Sequence, residues 1–260
     1  MHLRTHSHAS GAAMPPLALL AGGLATRLGA LAERIPKSLI KVAGEPFVAH
    51  QLRMLASQGV TDVVICCGHL GSLIQDYVGD GASFACRVRY SCDGPVQLGT
   101  GGAICKALPL LGNCFWVMYG DSYLTLDFSA AFSAFESSGK PGLMTVFRNE
   151  DRWDASNVEF ADGRIISYAK RRRSTHAGSM RHIDYGLGIY RAKLFRNFPC
   201  DAVFDLAAVQ TELVARGEMA GFEAEDRFYE IGSPSGLCAA GAFLRSRAAA
   251  SSAALSGAQA

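Results

Sequence analysis

The sequence predicts an α/β fold, a doubly wound mixed sheet in a single domain with a strand-rich second half, and three observations carry that prediction. Apolar runs of strand length stand at 17–21, 61–67 and 115–119. Segments with helical spacing alternate with them, and glycines mark the joins. Beyond residue 142 the alternation gives way to strand-like runs with little helix between them.

Taken in order, the run at 17–21 reads as a buried strand that ends on Gly22-Gly23. Residues 46–58 carry Val48, Leu52 and Leu55 at i, i+4 and i+7, open with Pro46 and stop before Gly59, as an amphipathic helix should. A strand at 61–67, helices at 70–77 and 101–108 and a strand at 115–119 complete βαβ units of a mostly parallel sheet. Strands expected at 142–148, 158–160, 164–168 and 184–190 would cover the open edge of that first half, where a second substrate could sit. The domain is placed at 15–247, with halves at 15–125 and 126–247. Residues 1–14 are polar, hold three histidines and end on a second methionine, Met14, so they are expected to be a disordered leader. The Ala- and Ser-rich residues 248–260 are expected to be a disordered tail.

Composition excludes several classes of function. Hydrophobic residues make up 49% and charged residues 18%, with a net charge of +2, which suits a globular protein and gives nucleic-acid binding no support. The basic run Lys170-Arg171-Arg172-Arg173 reads mainly as a solvated loop. Eight cysteines without a C-x-x-C pair read as reduced thiols and not as a zinc site or a disulfide scaffold. No apolar stretch approaches the roughly 20 residues that span a bilayer. A cytoplasmic protein is expected.

The segment after the first strand handles phosphate. Gly22 and Gly23 let backbone N–H groups face an anion. Arg27 adds a planar fork for two phosphate oxygens, and Lys37 adds a mobile point charge. The pattern is neither a Walker A loop nor G-x-G-x-x-G. The strand at 115–119 runs into Gly120-Asp121, which puts a carboxylate at the ligand crevice of an open sheet, so Asp121 is a candidate magnesium ligand.

Leu20-Ala21-Gly22-Gly23-Leu24-Ala25-Thr26-Arg27-Leu28, followed by Pro36-Lys37-Ser38-Leu39, resembles the signature of sugar-1-phosphate nucleotidyltransferases, L-A-G-G-x-G-T-R-L and then P-K-P-L. Ala25 stands for Gly and Ser38 for Pro. The resemblance implies a Rossmann-like, GT-A-like fold and assigns Ala21, Gly22, Gly23, Leu24, Thr26, Arg27 and Lys37 to the nucleotide, with Arg27, Lys37 and Asp121 catalytic. Residues 90–103 resemble the family's E-x-x-L-G-T-G-G-A segment over the base, which adds Asp93, Gly99 and Thr100. A carboxylate at Asp93 accepts paired N–H donors, as guanine offers, although near relatives of the segment also occur with uridine nucleotides.

Phe228-Tyr229-Glu230-Ile231-Gly232-Ser233-Pro234 resembles the family's Asp-Val/Ile-Gly-Thr-Pro, whose acidic residue is the second Mg²⁺ ligand, here Glu230. Lys170 falls where the family's E-K-P lysine holds the sugar phosphate, with Ala169 for the glutamate. Residues 183–190 resemble the N-A-G-I-Y strand, which brings in Gly186, with Asp184 in place of the Asn. Asn157 joins them beside Trp153, a candidate sugar wall. The match covers 17–243 and is closest to mannose and D-glycero-D-manno-heptose 1-phosphate guanylyltransferases. It implies GTP, a sugar 1-phosphate, Mg²⁺ and a GDP-sugar for cell-surface polysaccharide. A homodimer is the base-rate expectation. A uridylyltransferase, a molybdopterin guanylyltransferase and a non-catalytic nucleotide-sugar sensor remain alternatives. An NAD-dependent dehydrogenase ranks below them.

Overall fold

A computed structural model describes residues 14–23, 35–170 and 179–257. Expectations for Leu24, Ala25, Thr26, Arg27, Arg171–Arg173 and the leader before Met14 lie outside the described residues.

Strand β1 (Leu17–Leu20) is apolar at every position and buried, as a central strand covered on both faces must be. A small hairpin, β2 (Lys41–Val42) and β3 (Glu45–Pro46), leads into α1 (Phe47–Ser57), which starts after Pro46 and buries Val48, Leu52 and Leu55. There follow β4 (Asp62–Cys67), α2 (Gly71–Val78), β5 (Arg87–Cys92), α3 (Gly99–Leu111) and β6 (Cys114–Tyr119). These four longer strands lie in the order β5-β4-β1-β6 and are all parallel. The chain winds outward from β1 through β4 to β5 and then crosses to β6 on the other side. A crevice therefore opens at the carboxyl ends of β1 and β6, the ligand position of an open α/β sheet.

The second half continues with β7 (Ser122–Tyr123), α4 (Phe128–Ser138), β8 (Gly142–Arg148), β9 (Val158–Ala161), β10 (Arg164–Tyr168) and β11 (His182–Arg191). It ends with α5 (Leu206–Ala215), β12 (Met219–Ala224), β13 (Tyr229–Glu230) and α6 (Pro234–Gly257). The sheet runs on past β6 as β11-β8-β12-β10-β9, nine strands in all among the described residues. Because β11 is antiparallel to both β6 and β8, the sheet is mixed. Alternate residues feed two cores. Leu17, Leu19, Val63, Ile65 and Trp116 face α1, α2 and α4, while Ala18, Val64, Phe115 and Val117 face α3 and α5.

Two expectations need correcting. The half beyond 126 is less purely strand than its sequence implies, because α4 and α5 were not anticipated. Each opens on an aspartate N-cap: Asp127 accepts from Ser129 N (2.8 Å) and Ala130 N (3.1 Å), and Asp205 accepts from Ala207 N (2.9 Å). Phe and Ser are indifferent helix formers, so in α4 the cap and the burial of Phe128, Ala131 and Phe135 outweigh propensity. The expected tail from 248 is instead the continuation of α6 to Gly257. Ala240 and Leu244 anchor that helix in the core, and alanine, the strongest helix former, extends it.

Candidate active site at the strand-order switch

A cavity of about 220 Å³ occupies the crevice, lined by Ala21, Gly22 and Gly23 after β1, Lys37 and Ser38, Asp93, Gly99 and Thr100, and Gly120 and Asp121 after β6. Glycine is required at 120 by its neighbours: a Cβ there would lie 2.7 Å from the Leu20 carbonyl oxygen and 3.0 Å from Ala21 Cα. The glycine thus permits the close approach of the ends of β1 and β6. Lys37 Nζ donates to Asp121 Oδ2 at 2.9 Å. Gly22 packs on Gly68 N (3.2 Å from a Cβ position), whereas a Cβ on Gly23 would meet nothing within 4 Å among the described residues.

Glu230 reaches the same place from the far end of the chain. The ribbon β7–β13 pairs Glu230 with Ser122, and Ile231 N donates to the Asp121 carbonyl at 3.0 Å. Glu230 accepts from Gly232 N and from Ser233 Oγ (2.5 Å). A Cβ on Gly232 would lie 2.8 Å from Glu230 Oε2, 3.1 Å from Lys37 Nζ and 3.6 Å from Asp121 Oδ2, so both carboxylates and the ammonium surround one point.

On the opposite wall Asp93 Oδ2 accepts from Leu98 N at 3.1 Å, and burial raises the Asp93 carboxyl above its usual range against the pull of that N–H and of Lys106. Gly99 has φ +72°, and a Cβ there would lie 2.6 Å from the Phe204 carbonyl oxygen. That close approach to Phe204 requires the glycine, which also lines the cavity. Thr100 Oγ1 accepts from Leu206 N at 2.8 Å, tying the start of α3 to α5.

Asn157, Lys170, Asp184 and Gly186 do not line this cavity. They form a separate polar group beside it. The ladder between β11 and β8 shifts register between Asp184 and Gly188, and Gly186 takes φ +88° in that bulge. Asn157 Oδ1 accepts from Asp184 N, and Asp184 Oδ1 accepts from Gly186 N, both at 3.0 Å. Desolvation pushes the Asp184 carboxyl up to about 6. Lys170 pairs with Asp205. Burial would raise Asp205, but Lys170 and the Ala207 N–H hold it below its ordinary value. The link to the cavity is Tyr119, which lines it and packs against Gly186, 3.3 Å from a Cβ position there. Trp153 is exposed and carries the Arg227 guanidinium 3.5 Å from its ring centre, so one face of the expected sugar wall is already covered.

Residues 18–157 match the Nucleotidyl transferase family. The chain belongs to that family. It is 32% identical over 202 residues to the N-acetylmuramate alpha-1-phosphate uridylyltransferase of Neisseria meningitidis serogroup B, covering 77% of this chain and 84% of that one. It is 26% identical over 217 residues to the D-glycero-alpha-D-manno-heptose 1-phosphate guanylyltransferase of Campylobacter jejuni, covering 83% and 94%. The crystal structure of HddC from Yersinia pseudotuberculosis complexed with GMP-PN superposes with a TM-score of 0.73 at 24% identity, over 89% of this chain and all of that one, and so shares the fold. This protein is a sugar-1-phosphate nucleotidyltransferase.

Three residues in or beside this nucleotidyltransferase's crevice were given no role from sequence. Gln97 lines the cavity and donates to the Gly22 carbonyl at 3.4 Å. Asp205 approaches Lys170 from 35 residues away, and its only sequence signal is an aspartate before an apolar run. Ser38 lines the cavity with its Oγ buried and without a hydrogen-bond partner among the described residues. Among those residues no helix is long and apolar enough to cross a membrane.

Proposed function

We propose that this nucleotidyltransferase joins GTP to a manno-configured sugar 1-phosphate, a hexose or heptose, with Mg²⁺, releasing pyrophosphate and a GDP-sugar. The observation that carries the chemistry is the convergence of Asp121, Glu230 and Lys37 on one point at the end of β6. Two carboxylates with spare oxygen lone pairs beside a single ammonium suit Mg²⁺, which takes one or two carboxylates and completes its shell with phosphate and water. Asp121 and Glu230 would hold it, and when bound it supplies positive charge to the triphosphate.

The remaining work belongs to the chain. Backbone at Ala21–Gly23 borders the triphosphate, with Arg27 assigned to it by sequence and Lys37 placed to neutralise an oxygen beside Asp121. Lys170 holds the nucleophile. A sugar phosphate is already largely dianionic at pH 7, its second pKa being about 6, so attack on the α-phosphorus needs no side-chain base. Catalysis is then positioning and electrostatic stabilisation of the leaving pyrophosphate.

For guanine, the argument is the Asp93 carboxylate on the cavity wall, an acceptor suited to adjacent N–H donors. Uridine is the second reading, favoured by the 32% identity to a uridylyltransferase. The test is pyrophosphate release with Mg²⁺ and each of GTP, UTP, CTP, ATP and dTTP against a panel of sugar 1-phosphates. Fastest release with GTP and a manno-configured sugar supports the proposal. A preference for UTP with N-acetylmuramate 1-phosphate replaces it with the second reading.

A further inference from the structure

Strands β4 and β5 end side by side, and each ends in a cysteine. Cys67 and Cys92 are register partners on these parallel neighbours, so their side chains leave the same face of the sheet. Adjacent strands lie about 4.8 Å apart, within the roughly 4.4–6.8 Å between Cα atoms that a disulfide spans. Room for both sulfurs comes from Gly71 at the start of α2, where a Cβ would lie 2.9 Å from Cys67 Sγ and 3.9 Å from Cys92 Sγ. Both cysteines are free thiols, Cys92 exposed and Cys67 buried. Burial, together with Cys92 and Asp93, pushes the Cys67 thiol up to about 12. Cys92 is therefore the thiol that meets an oxidant, and Cys67 is the one that resolves it.

Cys92 runs directly into a wall of the crevice, and Cys67 into the residue that backs one. After Cys67 comes Gly68, 3.3 Å from the Gly22 carbonyl oxygen at its Cβ position. After Cys92 comes Asp93, whose N–H donates to the Cys67 carbonyl at 2.9 Å and whose carboxylate accepts from Leu98 N. Cys92 Sγ now accepts from Gln75 Nε2 at 3.3 Å, a contact that drawing it toward Cys67 would strain.

We propose that Cys67 and Cys92 form a reversible disulfide when the protein meets hydrogen peroxide, and that closing it weakens nucleotide binding. The Cys92 thiolate attacks one peroxide oxygen, the O–O bond breaks, and the departing hydroxide takes a proton to become water. Cys67 sulfur then attacks the Cys92 sulfenic acid. The S–O bond breaks, the thiol proton leaves with the oxygen as a second water, and a dithiol has become a disulfide. The bond draws the two sulfurs to about 2.05 Å and shifts Gly68 and Asp93 with them. The second half of the proposal rests on the reading that Asp93 borders the nucleotide.

The full chain, reduced or treated with hydrogen peroxide, is compared by non-reducing peptide mapping and by calorimetric Kd for GTP and for UTP with Mg²⁺. We expect one linked peptide pair, Cys67 to Cys92, lighter by about 2 Da, two hydrogens lost. A several-fold rise in Kd should accompany it, be reversed by dithiothreitol and be absent in Cys92→Ser. No such crosslink, pairing of Cys92 with Cys200 or Cys238 instead, or a crosslinked protein with unchanged Kd would overturn the proposal. Asp93→Asn in the reduced protein separates the two ideas, since an unchanged Kd there faults the reading of Asp93 while the peptide map still judges the disulfide.

Discussion

The two halves of the sheet differ in how many of their polar side chains are already engaged with one another. On the β5-β4-β1-β6 side the cavity is bordered by backbone at Ala21–Gly23 and by Lys37 and Asp121, which pair with each other in a partly exposed crevice. On the β11 side the polar groups are already spent on one another: Asn157 on Asp184 N, Asp184 on Gly186 N, Lys170 on Asp205. On the proposed reading a triphosphate enters a crevice bordered by backbone, with the Lys37–Asp121 pair to loosen, whereas a sugar phosphate would have to take Lys170 from Asp205. Binding there would then be an exchange of partners, its net strength the difference between two ion pairs.

The contrast can be broken most severely on the nucleotide side. Asp121→Asn is expected to lower kcat by about 10²–10³, the scale of losing one preorganised electrostatic contact, with the fold retained by circular dichroism. Chelation by EDTA should abolish pyrophosphate release, and added Mg²⁺ should restore it. Arg27→Ala should lower kcat far more than it raises KM for the sugar phosphate; unchanged turnover would remove Arg27 from the machinery.

On the sugar side the effects should appear in KM and carry opposite signs. Lys170→Ala should raise KM for the sugar 1-phosphate roughly 10-fold or more, the worth of a charge-assisted hydrogen bond. Asp205→Asn should lower that KM, because it releases Lys170 while asparagine still caps α5. If both variants raise KM alike, the exchange of partners is wrong and Asp205 itself contacts the substrate.

The smallest effect concerns stability. Asp184 has a folded pKa of about 6 against an ordinary 3.8, so protonation favours the folded state. That contribution is complete below 3.8 and is lost as the pH climbs through about 6. Asp184→Asn, neutral at every pH, should be more stable than wild type by roughly 1–3 kcal/mol at pH 8, with the advantage vanishing toward pH 4. Thermal unfolding at several pH values measures it, and a difference independent of pH would show that Asp184 is not desolvated as described.

How much was legible in advance follows the same division. The crevice residues of the first half stand in short contiguous motifs at strand ends, because a parallel strand delivers its carboxyl end to the ligand face whatever its neighbours do. Gly22-Gly23 and Gly120-Asp121 could therefore be placed from local pattern, and β1, β4, β6 and α1 with them. The sequence by itself determined the alternation of strands and helices, the chemical character of the crevice and the family resemblance. Tertiary structure alone decided the rest. The β7–β13 ribbon brings Glu230 to Asp121 from 109 positions along the chain, a meeting that the family resemblance implied and local spacing does not show. The end of β10 brings Lys170 to the cap of α5, and the close approach of Phe204 requires Gly99. Such contacts depend on how distant segments pack, and the local spacing of residues carries no record of which partner a carboxylate will meet.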